Sequence, residues 1–555
     1  MKFDVRRRLR ALGAFISRWW LSALTDPFVR TPGLMLCMTA MQAVLPYCLY
    51  GFVIHRLPGY DIGAMAILSE AVAAAWCLLL PYCILRRLSR RGAAVWLFLA
   101  FIPLTLNWLT DYVLLTIYET AFNVDIATVL LATNPAEGSD FVSAYLTPGF
   151  VGGLLGCAAS FAGLYVCGAW ARRSFAARFP ADALPARILS LAIAAVAWTM
   201  VLTCPSYKCT ETLMRQKIRV FASLDLGHEI VRVHPRLTID PADAPDKIVV
   251  VLGESHCRSH SSLYGYSKRT QPLQEALAAD SSLCVFATPV APALTTLCSI
   301  HRIIGTWNGS GDKPWYECLT FLEVADMAGY TTLWLSNQSC KGVCDSPMAK
   351  IAAFCDVHRF TNDGMHGMVS ALFDQEVIPL IESESQPARR ELAVIHLMGS
   401  HVDYAKRYPE GFRRFVPDDY SSRPAHQRPV LADYDNSVLY NDYVLSEIYK
   451  RYAGADAVVI YLSDHAQDLY DSSPDFKGHA KADVPPSKAA GEAVPFTVWL
   501  SPAFRARHPR VAARIAAATS RPVALTDLTY TLMDLMGARF ADNDDVAARS
   551  FFRPL

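Results

Sequence analysis

The chain has no surplus of either charge: 52 lysines and arginines stand against 51 aspartates and glutamates. Nothing in that balance argues for nucleic acid as a partner. Internal repeats and low-complexity tracts are also missing, so a repeat architecture is not expected. The cysteines do not offer the two CxxC pairs of a four-cysteine zinc site. Long apolar runs, by contrast, are abundant, and they are confined to one part of the chain. Residues 33–204 are dominated by them, whereas residues 205–555 have the composition of an ordinary soluble domain. At 555 residues the chain is expected to form at least two units.

Five stretches approach the roughly 20 apolar residues that a bilayer crossing requires. They run from Gly33 to His55, Ile62 to Leu85, Ala94 to Ile117, Gly149 to Ala171 and Ala186 to Cys204. Basic clusters orient them: Arg6, Arg7, Arg8, Arg10 and Arg18 precede the first span, Arg86, Arg87, Arg90 and Arg91 follow the second, and Arg172, Arg173 and Arg178 follow the fourth. All three clusters fall on one side if the N-terminus is cytoplasmic. Five crossings then place everything after Cys204 on the opposite side. A cleaved signal peptide fits less well, because the first run is too long and four more follow. Trp19 and Trp20 beside Arg18 suit a short interfacial helix. The expected organisation is a five-helix transmembrane domain (1–204, with an external loop at 118–148), a linker with amphipathic helices (205–245) and a soluble domain (246–555). Six cysteines lie in the spans as small apolar residues, and the others lie in or beside the exported part, where disulfides persist. Cys340 and Cys344 form the leading candidate pair and Cys204 and Cys209 the second, with connectivity left open.

From Lys247 onward, short apolar runs alternate with helical periodicity. Strands are expected at 248–252, 284–288, 332–335, 392–398, 457–462 and 495–500, and helices near 271–279, 296–304, 321–328, 368–382, 438–452 and 528–536. Strands apolar on both faces, separated by helices, predict an α/β domain with a largely parallel sheet. Active sites in such sheets lie beyond the C-terminal ends of the strands. Three strand ends carry chemistry: Glu254 follows the first, His401 follows another, and the adjacent pair Asp464 and His465 follows a late one. Glu, Asp and His are the nitrogen and oxygen ligands that zinc accepts. Each residue taken alone reads equally well as a satisfied polar group at a strand end. Their convergence is what points to a metal.

These residues sit in longer patterns. The run Gly253–Pro272, the segment Gly399–Pro409 around His401, the run Tyr434–Tyr443, the pair Asp464-His465 and the segment Ser339–Cys344 together resemble the membrane-bound phosphoethanolamine transferases of the alkaline phosphatase and sulfatase superfamily. The resemblance spans nearly the whole chain. It implies a sulfatase-like soluble domain on the periplasmic face of the inner membrane, with Glu254, Asp464 and His465 as ligands of one tightly held Zn2+; a second metal site stays open. It implies a threonine nucleophile at the start of the helix after the second strand. Thr296 is preferred over Thr295, because Ser299 and Ile300 then fall at the family's spacing and a helix N-terminus favours a phosphoryl group. As an alternative, either threonine would serve only as an N-cap. The implied donor is phosphatidylethanolamine and the implied acceptor an envelope glycan or lipid, lipid A or the lipopolysaccharide core above all. His401 and His479 would bind phosphate or move protons, or help hold the second metal. Thr133 and Glu137 would contact the lipid head group, although Val129 stands where the family has asparagine. A second departure replaces the family's glycine and glutamate after Asp464-His465 by Ala466 and Gln467. His256, His260 and His301 read as surface residues or as neighbours of the site. The Cys340–Cys344 segment matches one that is disulfide-bonded in some members. A sulfatase activity is disfavoured, since no Cys-x-Pro-x-Arg nucleophile motif lies near Thr296. A phosphoglycerol transferase and a catalytically silent lipid-binding membrane protein are the alternatives, the latter kept open by Gln467.

Overall fold

The computed structural model describes residues 24–52, 64–118, 146–176, isolated positions between 188 and 196, and 236–553 apart from six short breaks. Two compact units divide the chain, one holding the apolar N-terminal part and the other the C-terminal domain.

In the first unit, long helices run Pro32–Phe52, Ala64–Leu88, Arg90–Val113 and Pro148–Ala176. These are the places of the first four expected spans. Three stretches among the described residues are long and apolar enough to cross a membrane: Ala71–Leu88, Arg90–Thr110 and Pro148–Arg173. The expected count of five is therefore not reached among the described residues, and the fifth span, 186–204, lies almost wholly outside them. Phe98, Leu99, Leu155 and Trp170 are exposed on these helices, as residues facing acyl chains would be. The first and last helices approach closely at a pair of glycines: a Cβ on Gly168 would stand 2.5 Å from the Gly33 Cα. Small residues at such crossings let backbones touch and gain dispersion contact.

The second unit is built on seven strands: β1 (Lys247–Gly253), β2 (Leu283–Val285), β3 (Thr331–Ser339), β4 (Val357–Asn362), β5 (Glu391–His396), β6 (Ala457–Ser463) and β7 (Phe496–Leu500). Their spatial order is β2-β7-β6-β1-β5-β3-β4. Strands β6, β1, β5, β3 and β4 are mutually parallel, and β7 is antiparallel to both of its neighbours. The largely parallel sheet expected from the sequence is present. Every residue of β1, β5 and β6 is buried, because each face carries its own apolar layer. Burying a Val, Leu or Ile there contributes roughly 1.5–3 kcal/mol, before the cost of chain ordering. A strand at Leu237–Ile239, inside the segment expected to be linker, pairs with Ala538–Phe540 near the other end of the unit. The expected strand 284–288 is shorter than anticipated, and β4 was not anticipated at all. The central strands β6, β1 and β5 lie side by side and parallel, so their C-terminal ends open on one edge of the sheet.

Candidate metal centre

Glu254 leaves the end of β1, and Asp464 and His465 leave the end of the adjacent β6. The register pairs Gly253 with Ser463, so the three side chains start level with one another. Their ligand atoms all lie within 4.8 Å of one another, and all three residues are fully buried. The His465 Nε2 is 3.2 Å from Glu254 Oε1 and 3.5 Å from Asp464 Oδ2. On the far side of the ring, Nδ1 is 2.9 Å from the Ala466 carbonyl, to which it donates. That bond turns Nε2 toward the carboxylates.

The two oxygens of Asp464 are unequally satisfied. Its Oδ1 accepts from the His465 and Ser255 amides at 2.7 and 3.2 Å. Its Oδ2 is buried and has no hydrogen-bond partner among the described residues. A buried carboxylate oxygen left bare costs several times what a paired one does, unless a cation meets it. Two carboxylates and an imidazole around that oxygen are a donor set fitted to a divalent ion of the zinc type. The charges respond to one another. Burial would raise the Glu254 carboxyl, but the His465 imidazole overrides this and holds it well below the usual range. Burial and the Glu254 charge push Asp464 up to about 7. Burial pulls His465 down, yet the Asp464 and Glu254 charges outweigh it and push it up to about 9. Without metal, the cluster therefore retains protons that a cation would displace.

Thr296 opens the helix Thr296–Ile303, with Thr295 at its N-cap and no side-chain cap bond from Thr295. The helix buries Leu297, Ile300 and Ile303 in the apolar core of the domain. The Thr296 Oγ1 donates to Glu254 Oε2 at 3.0 Å and lies 3.3 Å from His465 Nε2. Ser299, three residues on, donates to the Ala293 carbonyl and ties the preceding loop to the helix.

Two further histidines approach. The His479 ring centroid is 4.8 Å from that of His465, and its Nδ1 is 3.2 Å from the Leu294 carbonyl. Burial, followed by the charges of His465 and His401, pulls His479 down to about 3. His401 lies on the turn after β5, close enough for its charge to lower the Glu254 carboxyl. That turn is fastened to the metal cluster. Gly399 has φ +52, and a Cβ there would stand 2.6 Å from the Glu254 carbonyl oxygen, so only glycine fits. The Ser400 amide donates to that same carbonyl at 2.9 Å. From below, the buried Asp374 carboxylate accepts the Met398 and Gly399 amides at 2.7 and 2.8 Å.

The remaining histidines divide. His256 is buried between Tyr461 OH, 2.7 Å from Nδ1, and Ser261 Oγ, 2.8 Å from Nε2. His260 is buried against Asp435 at 2.6 Å. Both belong to the interior, so of the two expected placements, at the surface or beside the site, they do not take the first. His301 stacks on Trp315 with ring centroids 4.1 Å apart. Sequence reasoning passed over several residues at this edge. His396, at the end of β5, is fully buried with neither ring nitrogen hydrogen-bonded among the described residues. Gln338 on β3 donates to the Leu397 carbonyl at 3.1 Å and reaches Glu254 Oε2 at 3.5 Å. Asp374 was equally silent. Only His396, five residues before His401 at a strand end, offered a readable signal. Thr133, Glu137, Cys204, Cys209, Cys340 and Cys344 lie outside the described residues, and no disulfide joins the described cysteines.

The pattern of the family described as Sulfatase matches residues 246–538, more than half of the chain. The phosphoethanolamine transferase EptC of Escherichia coli K12 is 28% identical over 312 residues, covering 55% of this chain and 53% of that protein. EptA of Helicobacter pylori is 28% identical over 289 residues, 50% of this chain and 52% of that protein. The chain thus spans about half the length of the curated relatives it matches. Among solved structures, the C-terminal periplasmic domain of E. coli EptC in complex with zinc superposes with a TM-score of 0.53 at 28% identity, covering 57% of this chain and 89% of that one. The integral membrane protein EptA of Neisseria meningitidis gives a TM-score of 0.60 over 94% of this chain and 99% of that one, and at 19% identity this is a likeness of fold.

Proposed function

The chain belongs to the sulfatase family, and from that premise we propose that it transfers phosphoethanolamine from phosphatidylethanolamine to an envelope glycolipid, lipid A or the lipopolysaccharide core. The observation that carries this reading is the Thr296 hydroxyl set 3.0 Å from Glu254 and 3.3 Å from His465, at a helix N-terminus. The family name describes the fold; the nucleophile position holds threonine rather than a Cys-x-Pro-x-Arg motif. The similarity to proteins named phosphoethanolamine transferases supports this head group.

Glu254, Asp464 and His465 would hold one zinc ion, as expected from the bare Asp464 oxygen and from the zinc complex of the EptC domain. Bound there, the ion would supply Lewis acidity that lowers the pKa of a neighbouring hydroxyl. Thr296 loses its proton, its oxygen forms a bond to the phosphorus of the donor, and the bond from phosphorus to the glycerol oxygen breaks. Diacylglycerol leaves with a proton. The phosphoethanolamine ester on Thr296 is then attacked by an acceptor hydroxyl or phosphate oxygen, which regenerates the threonine. His479, whose Nδ1 is held at the Leu294 carbonyl, would bind phosphate oxygens or move protons. His401 would contact the phosphate oxygens.

The chemistry belongs outside the cytoplasm. Five spans with arginine clusters on the cytoplasmic side would anchor the enzyme in the inner membrane and leave 246–555 in the periplasm. Residues 205–245 would link the two parts, and Thr133 and Glu137 in the external loop would meet the lipid head group. The test is diacylglycerol release by the purified full-length protein in nanodiscs of phosphatidylethanolamine or of phosphatidylglycerol. Release from the first alone is expected; release only from the second would replace the donor, and release from neither would refute the activity. Mass spectrometry of envelope glycolipids with and without the gene would identify the acceptor.

A further inference from the structure

The glutamine at 467, where the resembled family has glutamate, is not idle. We propose that Gln467 is a positioning residue that commits Ser255 as a hydrogen-bond donor to Glu254 and so fixes this ligand for the metal. The proposal rests on the reading of Glu254 as a zinc ligand.

Gln467 is almost completely buried. Its amide sits in the middle of a chain of bonds. Tyr404 OH donates to Gln467 Oε1 at 2.8 Å, Gln467 Nε2 donates to Ser255 Oγ at 2.9 Å, and Ser255 Oγ donates to Glu254 Oε1 at 2.6 Å. A serine hydroxyl has one proton to give. When its oxygen accepts from an amide N–H, that proton is directed onward, here to Glu254. The carboxylate is thereby held through Oε1, leaving Oε2 facing Thr296. An ionised glutamate at 467 could only accept, and it would compete with Glu254 for the same proton.

The backbone around this chain is equally constrained. Ser255 adopts φ 58, a left-handed conformation uncommon for serine, and the turn aims its hydroxyl back at its own neighbour. The Gln467 backbone N–H donates to Cys257 Sγ at 3.2 Å, and the Cys257 thiol donates to the Gln467 backbone carbonyl at 3.3 Å. In the ribbon formed by Gln467–Leu469 and Lys477–His479, Gln467 lies opposite His479. The residue therefore joins the strand ends to the arm bearing His479.

The test is zinc affinity, measured on the full-length protein by competition with a fluorescent chelator. Gln467→Met keeps length and volume but removes the amide; Ser255→Ala removes the donor itself. Each is expected to weaken zinc binding about tenfold, in the range typical for partners of metal ligands. The double variant should be no weaker than the weaker single one, because both cut the same chain. Tyr404→Phe, which trims only the outer end, should weaken binding by a smaller factor and supplies the readout if Gln467→Met does not fold. Unchanged affinity in these variants, or losses that multiply in the double variant, would overturn the proposal. A wild-type protein that binds no zinc would instead remove the metal reading beneath it.

Discussion

Glu254, Asp464 and His465 leave the ends of two adjacent buried strands, whereas His401 stands on a turn and His479 on a two-stranded ribbon, both keeping part of their surface open. The first group is fixed by the sheet: the register of β1 against β6 determines its separations, and moving it would break a fully buried ladder. The second group is fixed by secondary contacts, Asp374 and Gly399 for His401 and the Leu294 carbonyl for His479. A sheet-held set beside residues on a turn and a ribbon suits the proposed reaction, in which one ion stays and two substrates come and go in turn.

Removing the proposed nucleophile should give the largest separation between the two groups. Thr296→Ala is expected to lower diacylglycerol release by about a thousandfold or more while leaving zinc content near that of the wild type. Asp464→Asn removes the bare carboxylate charge, and zinc affinity should fall by about a hundredfold in chelator competition, with turnover falling alongside. On the arms the outcome should differ. His401→Ala and His479→Ala should each reduce turnover by roughly ten- to a hundredfold and leave zinc affinity unaltered. If either lost its zinc instead, the distinction between ligands and arms would collapse.

Acidity offers the mildest probe. Without metal, His465 titrates at about 9 and Asp464 at about 7, both raised, so zinc must expel protons to bind. Affinity should therefore rise with pH, by up to about a hundredfold per unit below about pH 7 where two protons are expelled, by about tenfold per unit from there to about pH 9, and flatten above. Calorimetry in buffers of different ionisation enthalpy would count the released protons. A pH-independent affinity would mean that the cluster is not the binding site.

The ligand half of this comparison was the legible half. Strands buried on both faces read as unbroken apolar runs, so β1, β5 and β6 and the polar residues ending them stood out. Strand β4 did not, because Val357–Asn362 mixes polar and apolar residues at the edge of the sheet. The antiparallel direction of β7 leaves no mark in its composition. The helix Arg428–Tyr452 was expected only from 438, because its first part carries polar side chains that are nevertheless buried. Asn436, for example, accepts from the Arg414 and Phe415 amides at 2.8 Å and donates to the Phe415 carbonyl. Such residues look exposed until their partners, some twenty positions away, are known. Gln338 and Asp374 escaped notice for the same reason: each acts on the site through a neighbour that only the fold supplies.

The central claim is that the Thr296 oxygen itself carries the phosphoryl group between donor and acceptor. Purified full-length protein should be incubated with phosphatidylethanolamine without acceptor, quenched in acid and digested, and the peptide spanning Thr295 and Thr296 fragmented in the mass spectrometer. The account predicts a phosphoethanolamine adduct on Thr296 that disappears when acceptor glycolipid is added. Diacylglycerol release with the adduct on Thr295, or with none on this peptide, would contradict it.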